Sequence, residues 1–598
     1  MALFAHTALL NRKAAVAAFM GAWASGLFLA SPVLASIPAL TGLLKRKLVD
    51  QAVVEQYDYR DDNRVASVLN ADGVFETRSY SAMGDLTGLT ASDGSSTVSF
   101  SLDRLGRVAG LAVSNGVGES FAYALDGSVL TNVITGNGIV ANATLSRAYS
   151  PAHGGLVSLN HRISPSLDNA FAVGYNAAAK VAAITSGDLD VQYGYASGAF
   201  VSSVVMNVAG ADVLMKNVDW DLAKKRVNAI TYVSGANTLA SFTYLYPTNS
   251  DRISEIALLD GARCRYAYDL KGQLTNAWKF NADGTAWPGM QFAYEYDEIG
   301  NLVRGGIVDP ASGAPLHSFQ ADNFNFHTDR QWGDRVPIRG VAAEGIRVTA
   351  NGALALYRAD GSGTGGGHFS VLAPVNNVAG AAQTEVTVWA VRTNATPYMV
   401  AATTGTLYVA QSSEPIQRSN AGFITQDSRF TYEWNRFGWL ISATYLLATP
   451  NFKLTFDYYA DGRRATKQVW QVQGGATNLV RTHEFHYDRW NLIAETVSDY
   501  SHAPTLQYSR TFLWGLDLAG QRIGKIGQDA GGIGGLLSIT QISNGVSKTY
   551  FPMPDHVGSI MGLVDAQTGQ IVAEYSYEPY GAVSGESGPA KDVCPFRF

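Results

Sequence analysis

From Phe292 onward the chain shows a pattern it uses many times. Phe292, Tyr294 and Tyr296 fall on one side of a period-two alternation, which is the signature of a strand. Asp297 follows, then Gly300, and a new apolar run opens at Leu302. An Asp at a strand end can hydrogen-bond the backbone of the turn after it. A glycine supplies the positive φ that reverses the chain. The same order returns in Tyr266-Ala-Tyr-Asp269-Leu-Lys-Gly272-Gln-Leu274 and in Phe485-His-Tyr-Asp488-Arg-Trp-Asn-Leu492, and in worn form over residues 100–108 and 430–440. Recurrence at roughly 20 residues predicts a repeat architecture of stacked hairpins. Tyrosines in neighbouring hairpins are expected to form cross-strand aromatic ladders. Amphipathic helical patterning is nearly absent, and residues 43–55 are its one predicted instance.

The repeat stops over residues 336–411. Short alternating runs replace it, at Gly345-Ile-Arg-Val348, Glu385-Val-Thr-Val-Trp389-Ala-Val391 and Thr406-Leu-Tyr-Val409, with a glycine-rich stretch at 361–367. Short strands between turn signals predict a small β-sandwich inserted into the array. Trp389 or Tyr357 offers a stacking platform for a glycan, although a lone Trp on an alternating strand is also an ordinary core residue. The fold class expected is therefore all-β, a spiralling sheet of hairpin repeats carrying an inserted sandwich.

Composition agrees. The chain has 598 residues, too many for one ordinary core, whereas a repeat array extends without that limit. Charged residues make up 16%, against about 25% in typical domains. The net charge is −6 with no Lys/Arg stripe, which argues against nucleic acid as a partner. Arg12 and Lys13 precede an apolar run from Ala14 that ends in Val33-Leu34-Ala35. That is the layout of a secretory signal peptide over residues 1–35; the run is also long enough to serve as an uncleaved anchor through residues 14–35. Cys264 and Cys594 are the only cysteines, too few for a disulfide framework.

Candidate chemistry is sparse. Neither glycine cluster, 361–367 or 531–535, is followed by Gly-Lys-Ser/Thr, so turns and close packing explain them better than a phosphate cradle. Asp58, Asp61, Asp62 and Asn63 lack the spacing and closing Glu of a calcium loop. His483 and His486, three apart in a strand, point to opposite faces. Catalytic, metal and cofactor residues are accordingly expected to be none.

The tail carries a resemblance. His556-Val-Gly-Ser-Ile560, Val564-Asp565, Thr568-Gly-Gln-Ile-Val-Ala-Glu-Tyr575, Tyr577-Glu-Pro-Tyr-Gly581 and Pro595-Phe-Arg-Phe598, with Trp514-Gly-Leu-Asp517 upstream, resemble the RHS repeat-associated core of bacterial RHS/YD-repeat proteins. The likeness covers about the last 90 residues as an ordered string, and the worn repeats extend it back to Tyr57. It implies repeats over 50–325 and 425–505, a core over 506–598, a structural role for Asp555-His556, and a hollow β-shell around a polypeptide cargo. The family's self-cleaving and toxic regions have no matching segment here, so no enzymatic role is expected. Two functions stand side by side: a secreted scaffold that encloses or presents a polypeptide, and a surface adhesin that binds glycans through its loops and insert. Partners expected are a polypeptide cargo or complementary chain, and other copies of itself through a sticky sheet edge at residues 575–598.

Overall fold

The computed structural model describes residues 35–38, 43–49 and 52–597, apart from breaks at 96, 115, 164–166, 198–199, 323–325, 360–365, 393–398, 448–450, 502–505 and 523–531. The leader or anchor, Ala35 excepted, and most of the 361–367 glycine stretch lie outside the described residues. Every described element is a β-strand, and every pairing is antiparallel. A 27-stranded sheet runs as a meander from Ala35–Pro38 to His327–Gln331 and takes in Ser413–Pro415 as its last strand. A 14-stranded sheet follows from Gln417–Arg418 to Val583–Ser587. Neither closes on itself.

Each repeat shows why its residues recur. Asp297 Oδ1 accepts the backbone N–H groups of Ile299, Gly300 and Asn301 at 2.7–3.0 Å, and Gly300 sits at φ 98°. Asp103 and Asn435 cap their own turns in the same way. The preceding tyrosine stands at a shift in register, as at Ser79/Tyr80, Ala267/Tyr268, Glu295/Tyr296 and Asp457/Tyr458. Its hydroxyl donates to the carbonyl of the residue leaving the previous turn on that rim. Tyr80 reaches Val65, Tyr123 reaches Val108, Tyr195 reaches Val181, Tyr246 reaches Val227, Tyr296 reaches Leu274 and Tyr458 reaches Leu440, all at 2.6–2.8 Å. Where Trp replaces Tyr, its indole N–H does the same, from Trp220 to Val201 and from Trp514 to Leu492.

The ladder differs from the expected one. The residue before each turn exit is often basic, and it stacks on the next repeat's ring. Arg107 lies over Tyr123 at 4.4 Å, Arg226 over Tyr246 at 4.1 Å and Lys180 over Tyr195 at 5.3 Å. Aromatic pairs fill that place at Phe200–Trp220, Phe423–Trp434 and Trp439–Tyr458. A cation over a ring face is attracted by the ring quadrupole while its head stays near water at the rim, so rim positions take Arg and Lys. The Tyr123→Phe variant keeps the ring under Arg107 and removes only the hydroxyl bond. It is expected to lose about 1 kcal/mol, read from the urea midpoint; an unchanged midpoint would show that water serves Val108 equally well.

The helix expected at 43–55 is two strands, Leu44–Val49 and Ala52–Tyr59. They pair with each other, Lys47 faces Glu55 across the pair at 3.9 Å, and Tyr59 donates to Leu44 at 2.6 Å. Sheet neighbours override weak helical patterning.

Register shifts recurring at these rim tyrosines, among them Tyr80, Tyr195, Tyr268, Tyr296 and Tyr458, bend and twist the strip, and the strip comes back over itself. The second sheet covers the first in the same order along the chain. Phe437 and Ala460 pack with Leu89, Val98 and Val113. Tyr459, Leu492 and Phe512 pack with Ile134, Leu145 and Ile163, and Leu513, Phe551 and Val564 with Ile184, Leu214 and Ile230. The sequence separation of cross-layer contacts falls from 349 residues at Asp72–Ala421 to 284 at Tyr296–Tyr580. The first layer thus spends more residues over the shared stretch, as the longer path of a curved two-layer wall does.

Residues 335–409 leave and re-enter at one point. Gln331 pairs with Ser413, and Trp332 N–H bonds Ser412 at 2.8 Å. Between them stand a three-stranded sheet (Arg335–Ala343, Gly366–Pro374, Leu356–Ala359) and a four-stranded one (Ala353–Leu354, Ile346–Ala350, Ala382–Arg392, Met399–Val409). They share a core of Ala350, Val371, Ala373 and Val386. At the neck, fully buried Asn377 donates to the carbonyls of Gly333 and Ala410 at 3.2 and 2.9 Å. Joining Trp332 to Ser412 through a short Gly/Ser link is expected to leave both large sheets folded, with the far-UV spectrum reduced only by the insert's share. Collapse of the remaining protein to a protease-sensitive chain would overturn this.

Candidate functional site

The densest chemistry lies between the two layers. Arg463, 5% exposed, donates to Glu119 Oε2 at 2.6 Å and to Asp461 at 2.7 Å, and also bonds the Arg489 carbonyl. Glu119 takes a further bond from Asn132 at 3.0 Å. Arg147 of the first layer donates to buried Asp488 of the second at 2.6 Å. Arg147 holds the Asp488 carboxyl below the ordinary carboxylate range although burial acts the other way. Glu484 accepts the Ala141 N–H and shares a 2.6 Å bond with His486. The His486 ring lies 5.6 Å from that of His161, whose own nitrogens have no hydrogen-bond partner among the described residues. Burial pushes the His161 imidazole down to about 3. Hydroxyl bonds continue the seam, from Tyr232 to the Pro554 carbonyl at 2.6 Å and from the Leu516 N–H to Tyr193 at 3.2 Å. Buried charges need partners this close to offset their lost hydration, so the seam fixes one relative placement of the layers.

Asp555 and His556 sit in this seam as turn residues. Asp555 accepts from Val557 and Ser559 N–H, and the His556 N–H bonds Tyr244 Oη at 3.2 Å. Burial raises Asp555 to about 6 and lowers His556 to about 4. The closing segment seats on the same core. Phe596 lies 5.3 Å from both Phe512 and Trp514, and the Arg597 carbonyl accepts from Ile560 N–H and Tyr577 Oη. Cys594 is 1% exposed, and burial pushes its thiol up to about 11. Tyr575, expected at a sticky edge, is 4% exposed; the outermost strand is Val583–Ser587.

Tyr357 and Trp389 occupy different sheets of the insert. Tyr357 lines a hollow of about 300 Å³ with Ile346, Arg347 and Leu354. Trp389, 47% exposed, stands between Thr349 and Ala402 on the open face of the four-stranded sheet. The insert docks at other points: His368 stacks on Trp287 with ring centroids 3.5 Å apart, Arg339 donates to Glu578 at 3.0 Å, and at the far end of the Trp389 face Gln383 donates to Tyr445 and Tyr408 bonds Ser428. Another open hollow, about 690 Å³, is lined by Asn142, Thr144, Arg162 and Asp168 on the first sheet. His483 and His486 do point to opposite faces, His483 to Glu495 and His486 to Glu484. No group of His, Cys, Asp and Glu suited to a metal occurs among the described residues.

Sequence reasoning passed over Glu119, Arg147, His161 and Arg463. One signal was present: Glu484, His486 and Asp488 are titratable residues at period two, hence on one face of a strand.

No family model matches this sequence, and no curated protein does either. Among solved structures the chain is similar to TcdB2-TccC3 and to TcdB2-TccC3-Cdc42, each at 12% identity, a TM-score of 0.43 and 93% of this chain covered. It is likewise similar to a Tc holotoxin pore from Photorhabdus luminescens, at 13% identity, a TM-score of 0.42 and 94% covered. It spans less than a third of those chains, 28% or 29%.

Proposed function

We propose that this protein is a non-enzymatic structural scaffold, part of a secreted RHS-type β-wall that encloses or presents a polypeptide. The observation that supports this most is the overlay of the second sheet on the first in chain order. Hydroxyl bonds lock one rim turn after turn, and buried ion pairs fasten the layers, which suits a stiff partition better than a hinged cleft. Glu119, Arg147, Arg463, Glu484 and Asp488 of the seam are engaged in pairing across the layers, and Asp555 in capping its turn. The tail's resemblance to the RHS core points the same way, towards a polypeptide cargo or a complementary chain outside the cell.

The test is protection. Protein purified from its producing cells, treated with protease and then denatured, is expected to release a second, undigested polypeptide. Complete digestion of every co-purifying polypeptide while the wall stays intact would overturn the reading. The exposure of Trp389 favours a second reading, glycan or cell-surface binding through the insert. Glycan-array binding that disappears in Trp389→Ala but not in Tyr357→Phe would support it.

A further inference from the structure

We infer that the insert carries a self-association edge: strand Met399–Val409 pairs antiparallel with the same strand of a second copy of this chain. It is the outermost strand of the four-stranded sheet, bonded on one side only, to Ala382–Arg392. Its 11 residues run without a register shift, and the first eight are exposed, Met399 at 62% and Val400 at 58%. A row of unpaired N–H and C=O groups is a template for another strand, and folded proteins blunt it with short length, charge, proline or a bulge.

The other sheet edges of the described residues are blunted in these ways. Arg335–Ala343 has nine residues but carries Arg335, Pro337 and Arg339, Leu356–Ala359 has four and Ala353–Leu354 two. Val583–Ser587 has five and carries Glu586, which pairs with Lys591 at 2.8 Å. Ser413–Pro415 has three residues and ends in proline. Met399–Val409 has none of these protections, and no charged residue occurs anywhere between Arg392 and Glu414.

That absence of charge selects the occupant. Against itself the strand meets no like charge, and it offers a charged peptide no complementary group. Centring the pair on Thr404 is also sterically matched. Val400, Ala402, Thr404, Thr406 and Tyr408 share one face, open as far as Thr406 and closed at Tyr408 by Ser428 and Arg429, whereas Ala401, Thr403, Gly405 and Leu407 share the core face, where Leu407 packs. In that register Val400 meets the second copy's Tyr408, Ala402 its Thr406, Ala401 its Leu407 and Thr403 its Gly405. Three of these four pairs set a small residue against a larger one, and two four-stranded sheets become one. Thr404 meets itself, and its hydroxyl already bonds Thr387 at 3.0 Å on the open face.

Light scattering after size exclusion tests this on the full chain. The wild type is expected at twice the chain mass and Thr404→Lys at the single mass, with both giving the same far-UV spectrum. A Thr404→Cys variant in a Cys264→Ser background is expected to form a disulfide-linked dimer under mild oxidation, whereas Thr477→Cys, exposed on another strand, is not. A monomeric wild type would overturn the inference. So would a dimer that survives Thr404→Lys and leaves Thr404→Cys unlinked, since its interface would lie elsewhere.

Discussion

Replacing Glu119 by Gln is expected to destabilise the protein by about 3–5 kcal/mol, the cost of breaking one buried ion pair by removing a single partner. Glu119 and Arg463 have side chains 1% and 4% exposed and lie 2.6 Å apart across the two layers. With Glu119 neutral, Arg463 keeps Asp461 and the Arg489 carbonyl but loses its partner from the first layer. The amide also turns a donor towards the guanidinium, or breaks its bond with Asn132. Changing Glu119 and Arg463 together to Met is expected to recover part of the loss, because no buried charge then faces an absent partner across the layers, while Asp461, whose side chain is 29% exposed, is left to water. Urea unfolding of the single and double variants measures the coupling. Equal losses in Glu119→Gln and in the double variant would show that packing, and not charge, fastens the layers.

The second large effect is acid sensitivity between pH 7 and pH 5. His161, His317 and His556 are pushed down by burial to about 3, 4 and 4. A histidine whose folded pKa is depressed binds fewer protons folded than unfolded. Its contribution is therefore complete above the unfolded value near 6.5 and is lost as the pH falls towards the folded value. At pH 5 each of the three costs about 2 kcal/mol relative to neutral pH. Asp555 opposes them: its carboxyl is raised to about 6, so the folded state gains protons first and returns about 1 kcal/mol at pH 5. The net expectation is a loss of several kcal/mol. His161 contributes most specifically to layer separation, since its protonated ring would face His486 and Arg147 with only Asp488 to balance them. His161→Phe is expected to reduce the fall of the urea midpoint between pH 7 and pH 5 by the equivalent of about 2 kcal/mol, with the share of His317 and His556 remaining. A midpoint unchanged between pH 7 and 5 in the wild type would count against this account.

The tyrosine-rim bonds show how far local sequence reaches. Asp297, Gly300 and Leu302 declare a turn and the strand after it, because an Asp side chain bonds N–H groups two to four residues on and glycine alone takes φ near 98° at no cost. The tyrosine before that Asp was legible as a strand residue. Its role as a donor to the previous turn was not, because the acceptor is a backbone carbonyl about 15 to 22 residues back whose placement depends on the bulge. The misread segment at 43–55 failed for the related reason that its hydrogen-bond partners lie on neighbouring strands.

The sequence by itself determined the all-β class and the recurring turns, since each rests on alternation, side-chain capping or glycine within a few residues. Tertiary structure alone decided that Glu119 meets Arg463, that Arg147 meets Asp488 and that Tyr232 reaches Pro554, contacts 322 to 344 residues apart. Those pairings follow from twist accumulated over many hairpins, a small rotation per strand that no short stretch of sequence encodes, and burial then makes each pairing costly to break.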